Sequence, residues 1–148
     1  MKKEKTVLAI LAMVLLFGVL FIGCSNMPKI AEIAISSNPN PVSLDASDGK
    51  WHYTLQITES RGVGVTISGL KFEYYHGGTE PENIKYFDAA EFNELFETDY
   101  VSGYSSIQND MAHTSGSVED HYTIVTVTGT DDNGNTVEAT LKIDYVVQ

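Results

Sequence analysis

From Lys29 to the C-terminus, apolar and polar residues alternate with a period of two, the pattern of half-buried strands. Ile30, Ile33 and Ile35 predict a first short strand. Asn38-Pro39-Asn40-Pro41 ends it, because proline cannot donate to a ladder. Trp51, Tyr53, Leu55 and Ile57 alternate with His52, Thr54, Gln56 and Thr58, which predicts a long strand with one buried face. Gly62 and Gly64 punctuate the pattern, Val63, Val65 and Ile67 resume it, and Leu70, Phe72 and Tyr74 follow Gly69, where a bulge is expected. Nearer the C-terminus, residues 122–128 and the alternation Val137, Ala139, Leu141, Ile143, Tyr145, Val147 flank Asp131-Asp132-Asn133-Gly134-Asn135. Asn-Gly between two strand patterns predicts a hairpin.

One segment departs from the period of two. Asp88 followed three positions later by Glu91 has the spacing of a capping box, and Phe92, Leu95 and Phe96 fall on one helical face. Residues 88–97 are therefore expected to form a short helix laid over one end or edge of the sheets. Between Thr98 and Asp120 the pattern is weak and rich in Ser and Gly, with one poor strand expected over residues 106–112.

The first two dozen residues read as an address. Lys2, Lys3 and Lys5 precede an apolar run over residues 7–22, then Gly23 and the only cysteine, Cys24. A basic start, an apolar stretch and a small residue before the break make a secretory signal peptide. Phe21-Ile22-Gly23-Cys24 resembles the lipobox of bacterial lipoproteins. That resemblance implies that Cys24 receives a diacylglyceryl thioether and becomes the mature N-terminus. An uncleaved signal anchor is the alternative, although the run is short against the ~20 residues of a full span. The expected organisation is a leader over residues 1–23, a short linker over 24–29, and one domain over 30–148. The expected location is the bacterial cell envelope, membrane-anchored on the non-cytoplasmic side.

Charge and cysteine content narrow the function classes. The 148 residues carry a formal charge of −11. Without the leader, 6 basic and 19 acidic residues remain, a net of 6 − 19 = −13. Such a chain lacks the basic face that nucleic acid requires, and it is repelled by anionic head groups, so it should not lie flat on a membrane. A single cysteine excludes a disulfide framework and a Cys-rich zinc site.

The run Trp51-x-Tyr53-x-Leu55-x-Ile57-x-Glu59, then Gly62-Val63-Gly64-Val65-Thr66 and the closing Val127-x-Gly129-Thr130-Asp131-x-x-Gly134, resemble immunoglobulin-like domains of bacterial surface proteins. The resemblance implies an all-β, immunoglobulin-like antiparallel β-sandwich. It also implies that Tyr122 of Asp120-His121-Tyr122 forms a corner by bonding its hydroxyl to upstream backbone. Ile124 stands where antibody domains carry a cysteine, so packing must replace the inter-sheet disulfide. This fold hosts many unrelated roles.

Candidate chemistry is sparse. Asp131, Asn133 and Asn135 concentrate oxygen ligands in one turn and are a weak Ca²⁺ candidate. The spacing is not that of an EF-hand, and a polar hairpin turn accounts for the same residues. Residues 74–104 hold eight aromatics, among them Tyr75, Tyr86, Tyr100 and Tyr104, beside seven acidic residues and Lys85. Tyrosine gives large contact area at low entropy cost, so these four tyrosines form the candidate binding surface. The competing view is that the rings seal the edges of the sandwich. His52, His76, His113 and His121 show no metalloprotease spacing. Ser115, His121 and Asp120 contain triad chemistry, but neighbours on a strand point to opposite faces. Glu59 and Arg61 flank a turn and are placed to pair across it. The expected role is non-catalytic binding or scaffolding of an envelope protein or polysaccharide, with the covalent lipid as the one attached group. A carbohydrate-binding surface is the alternative, and an envelope enzyme the remoter one.

Overall fold

The computed structural model describes residues 28–115 and 119–147; the leader and Cys24 lie outside the described residues. Among the described residues nine strands and one helix follow in the order β1 (Ile33–Asn38), β2 (Val42–Asp45), β3 (Lys50–Glu59), β4 (Val65–Tyr75), β5 (Asn83–Asp88), α1 (Ala89–Phe96), β6 (Tyr100–Val101), β7 (Ser106–His113), β8 (His121–Asp131) and β9 (Thr136–Val146). Among the described residues no helix is long and apolar enough to cross a membrane.

The strands form two packed layers. In the first, β3 lies between β1 and β7, both antiparallel to it. In the second, the order is β9-β8-β4-β5, with β6 also pairing to β4. β2 belongs to both layers. Val42 and Ser43 run parallel to β9, and Leu44 and Asp45 then pair with β3. The order β1-β3-β7 against β9-β8-β4 is that of strands A-B-E against G-F-C in an immunoglobulin-like sandwich.

The alternation read in the sequence becomes the core. Trp51, Tyr53, Leu55 and Ile57 of β3 face Val65, Ile67, Leu70 and Phe72 of β4, Val125 and Val127 of β8, and Ile143 and Tyr145 of β9, all buried. The register slips between Ile67 and Gly69, so the bulge falls at Ser68 beside the predicted glycine. The Asn133-Gly134 turn closes the β8–β9 hairpin with Gly134 at φ 83°, a backbone conformation that favours glycine.

The helix forms as its cap predicts. The Asp88 side chain accepts from the main-chain N–H groups of Ala90 and Glu91, and the Glu91 side chain accepts from that of Asp88. Phe92 and Phe96 are buried and stack at 4.5 Å. The helix packs on β4, β5 and β7. It therefore closes the side of the sandwich between β5 and β7, and the chain crosses to the first sheet only after β6.

Three strands were not foreseen. β2 is four residues long and follows the proline run. β6 is two residues long. β5 sits at an edge with five of its six positions exposed, so it shows no alternation. Two further expectations need correction. Tyr122 does not form a corner. His121 turns inward instead, and Tyr122 lies on the outer face, stacked on Tyr75 at 4.7 Å and 7° with the Lys142 ammonium 4.6 Å from its ring. The Arg61 guanidinium does not pair with Glu59. Its Nε donates to Glu32 at 2.7 Å, while Glu59 is buried beneath the turn.

Candidate functional site

Period-two geometry sends the odd and even positions of β4 to opposite faces. The bulge switches the parity, so even-numbered Thr66 and Ser68 before it and odd-numbered Lys71, Glu73 and Tyr75 after it lie on the outer face. Beside them on β8 stand Tyr122, Ile124, Thr126, Thr128 and Thr130, and on β5 the exposed Ile84 and Tyr86. The four tyrosines are spread along this face. Tyr75 is stacked on Tyr122 at the far end of β4. Tyr86 pairs opposite Lys71 with its ring over Gly69 and is 56% exposed. Tyr100 lies opposite Thr66, over Gly64, and its hydroxyl donates to the Asp132 carboxylate at 3.0 Å, a bond that raises its pKa. Tyr104, 69% exposed, covers Gly62. Thr66 to Tyr75 spans roughly 30 Å of strand. The structure therefore brings Tyr100 and Tyr104 together over one turn, and leaves Tyr86 and Tyr75 apart from them and from each other.

That turn is held from below. Glu59 is 1% exposed, and its carboxylate accepts four main-chain N–H groups, those of Arg61 at 2.8 Å, Gly62 at 2.7 Å, Tyr104 at 3.0 Å and Glu32 at 3.2 Å. Burial alone would raise its pKa, but the four donors outweigh that and hold it at about 2.

The predicted oxygen-rich turn is similarly committed. Asp131 is buried and accepts from the main-chain N–H of Ala31, Asn133 and Asn135 and from the Asn135 side chain. Both of its oxygens fix the hairpin and the N-terminal segment, so a cation would have to displace these donors. Burial raises its pKa and the donors lower it, with a net lowering.

The opposite end of the sandwich holds a feature the sequence did not disclose. His76 follows β4, His113 ends β7 and His121 begins β8, and the three rings meet against Trp51, Tyr74 and Tyr145. His113 Nε2 lies 3.0 Å from His121 Nε2. His121 Nδ1 lies 2.8 Å from the Glu119 carbonyl oxygen. A carbonyl only accepts, so His121 carries its proton on Nδ1 and offers Nε2 as a lone pair, to which His113 donates. Burial pushes His113 down to about 4, helped by the neighbouring His121 and His76. Burial lowers His121 as well, against the opposing Glu119 bond. Burial therefore favours the neutral form of both rings. His76 stacks 4.7 Å from His121, with Nδ1 3.0 Å from Glu82 and Nε2 3.1 Å from Ser115 Oγ. A cavity of about 300 Å³, lined by Tyr74, His76, Glu82, Lys85, His113 and Ser115, opens here. The Asp120 carboxylate accepts the N–H of Val147 and acts on His121 through its charge, which opposes the lowering of that ring's pKa, while Ser115 Oγ lies against His76.

No family model matches the chain, and no curated protein matches it in sequence. Solved structures do match. A Northeast Structural Genomics Consortium target aligns with a TM-score of 0.57 at 9% identity, over 82% of this chain and 90% of that one. The putative ApaA protein of Bordetella pertussis aligns at 0.55 and 12% identity, over 80% and 96%. AggA, the major subunit of aggregative adherence fimbriae type I from Escherichia coli, aligns at 0.49 and 11%, over 84% and 99%. At these identities a likeness shows the fold alone.

Proposed function

We propose that the chain is an exported lipoprotein, cut before Cys24 and held by lipid on that residue, whose β-sandwich is a non-catalytic binding or scaffolding module of the cell envelope. The observation that carries the binding role is the outer face of the second sheet. Ile84, Tyr86 and Tyr100 are large apolar or aromatic side chains left exposed on a rigid sheet, flanked by a rank of threonines. Large exposed rings on a polar face mark recognition surfaces. The anchor reading rests on Lys2, Lys3 and Lys5, the apolar run and Gly23-Cys24. Ala31, seven positions after Cys24, is already buried, so a lipid on Cys24 keeps the sandwich within a few nanometres of the bilayer.

Two measurements test the reading. Metabolic labelling with a fatty-acid probe should mark the wild-type chain and leave Cys24→Ala unlabelled and unprocessed; labelling of that variant defeats the anchor. Detergent-solubilised full-length protein should retain an envelope component, and Ile84→Ser/Tyr86→Ala should lose it at unchanged melting temperature. The carbohydrate alternative draws on the Tyr75–Tyr122 pair, two parallel rings stacked 4.7 Å apart on the outer face, since sugar rings stack on aromatic faces. It predicts that the retained component is polysaccharide and that Tyr75→Ala releases it.

A further inference from the structure

We propose that the histidine cluster at the β4–β7–β8 end is a binding site for a divalent transition-metal ion of the zinc class, ligated by Nε2 of His113 and Nε2 of His121 and completed by His76. Three of the four histidines in the chain converge there from positions scattered along the sequence. Two imidazoles on one tetrahedral ion, each with its nitrogen about 2.0–2.1 Å from the metal, place their ring centres roughly 5.2 Å apart and their nitrogens about 3.3 Å apart. The centres of His113 and His121 are 5.1 Å apart and their Nε2 atoms 3.0 Å. Small rotations of the two rings, without translation, meet the requirement.

The surroundings suit a metal-ligating pair. The Glu119 carbonyl accepts a hydrogen bond from the His121 Nδ1–H and turns its Nε2 lone pair inward, the outer-shell contact that orients ligating histidines. His113 joins by shifting its proton from Nε2 to Nδ1, so the ion takes the place of the shared hydrogen and no proton is released. Trp51, Tyr74 and Tyr145 wall the pair on its inner sides. The cavity of about 300 Å³ gives access from outside. Lys85, the cation on its rim, lies over the Phe87 ring at 4.5 Å.

His76 is near but not yet in place. It stacks on His121 at 4.7 Å, and its buried Nδ1 makes no well-directed hydrogen bond although Glu82 is 3.0 Å away. Rotation about its side-chain bonds would bring a nitrogen to the ion, and Glu82 would accept from the other. Among the described residues, the group whose ligand atoms already lie within 4.8 Å of one another is Asp45, Asp48 and His52. That group is exposed, and its carboxylates already accept from the main chain of Ser47 and Lys50, which explains them as turn caps.

The test uses full-length protein in detergent, stripped with a chelator. Titration with Zn²⁺, followed by calorimetry and melting temperature, should show one saturable site in the micromolar range or tighter. Mg²⁺ and Ca²⁺ should give none. Co²⁺ in the same site should develop the intense visible bands of a tetrahedral ion. His113→Gln and His76→Gln should each weaken Zn²⁺ by at least ~10-fold, and His52→Ala should leave it unchanged. Should His113→Gln unfold, by near-ultraviolet circular dichroism of Trp51, the Co²⁺ spectrum of the wild type decides. Absence of saturable Zn²⁺ binding, a weak octahedral Co²⁺ spectrum, or binding lost in His52→Ala but kept in His113→Gln would overturn the proposal.

Discussion

The carboxylate of Glu59 accepts the main-chain N–H of Tyr104 at 3.0 Å, across 45 positions of sequence. Through this contact the end of β3 holds the loop that leads into β7, with the Tyr104 ring folded over Gly62. Glu59→Gln keeps the shape but trades an anionic acceptor for one that brings two unwanted donors. It should lower stability by on the order of 2 kcal/mol, read as a shift in denaturant midpoint at constant slope.

The same residue predicts an acid response. Its pKa falls from the ordinary 4.5 to about 2 on folding, so the unfolded chain binds the proton more readily between those values. The stabilisation is full above about pH 4.5 and drains away as pH falls towards 2. Equilibrium unfolding of wild type and Glu59→Gln should converge over that interval. A constant difference from pH 6 to pH 2 would show that the carboxylate's charge is not what matters.

Gly64 lies under the Tyr100 hydroxyl and the Asp132 carboxylate, where an added methyl would collide with both. Gly64→Ala should destabilise by about 1–3 kcal/mol. Tyr100→Ala should recover part of that loss, so the pair should couple in a double-mutant cycle. Strict additivity would mean that the ring moves aside freely.

Asp88 caps the only helix among the described residues. Asp88→Ala removes the acceptor for Ala90 and Glu91 and should cost about 1 kcal/mol. Because α1 closes the gap between β5 and β7, hydrogen exchange should quicken there before it does in β8 and β9.

Much of this architecture was legible where burial is one-sided. Trp51 to Ile57, Ile143 to Tyr145, the Asn133-Gly134 turn and the Asp88–Glu91 box each carry their own local signal. β5 gave none because both its faces meet solvent, and a strand without a buried side has no period to read. Tyr122 misled because His121 and Tyr122 are both able to fill an aromatic interior, and only the pairing of His121 with Tyr145 decides which one turns in. The histidine cluster was illegible for a similar reason. Register places His113 opposite Trp51 and His121 opposite Tyr145, and no spacing along the chain encodes those meetings. The tyrosines were found as a set, but two of them cover glycines of a single turn, which sequence proximity could not reveal.

The bond from the Ala31 N–H to Asp131 has a mechanical consequence. Together with the Asn133 side chain donating to the Lys29 carbonyl at 2.7 Å, it fastens the start of the sandwich to a hairpin about a hundred positions away. Tension entering from the N-terminal side is handed to β8 and β9, the long hairpin of the second sheet, before β1 can peel from β3. The end of the domain nearest any tether is a clamp, and a pull there loads the whole body in shear where a free first strand would unzip one bond at a time.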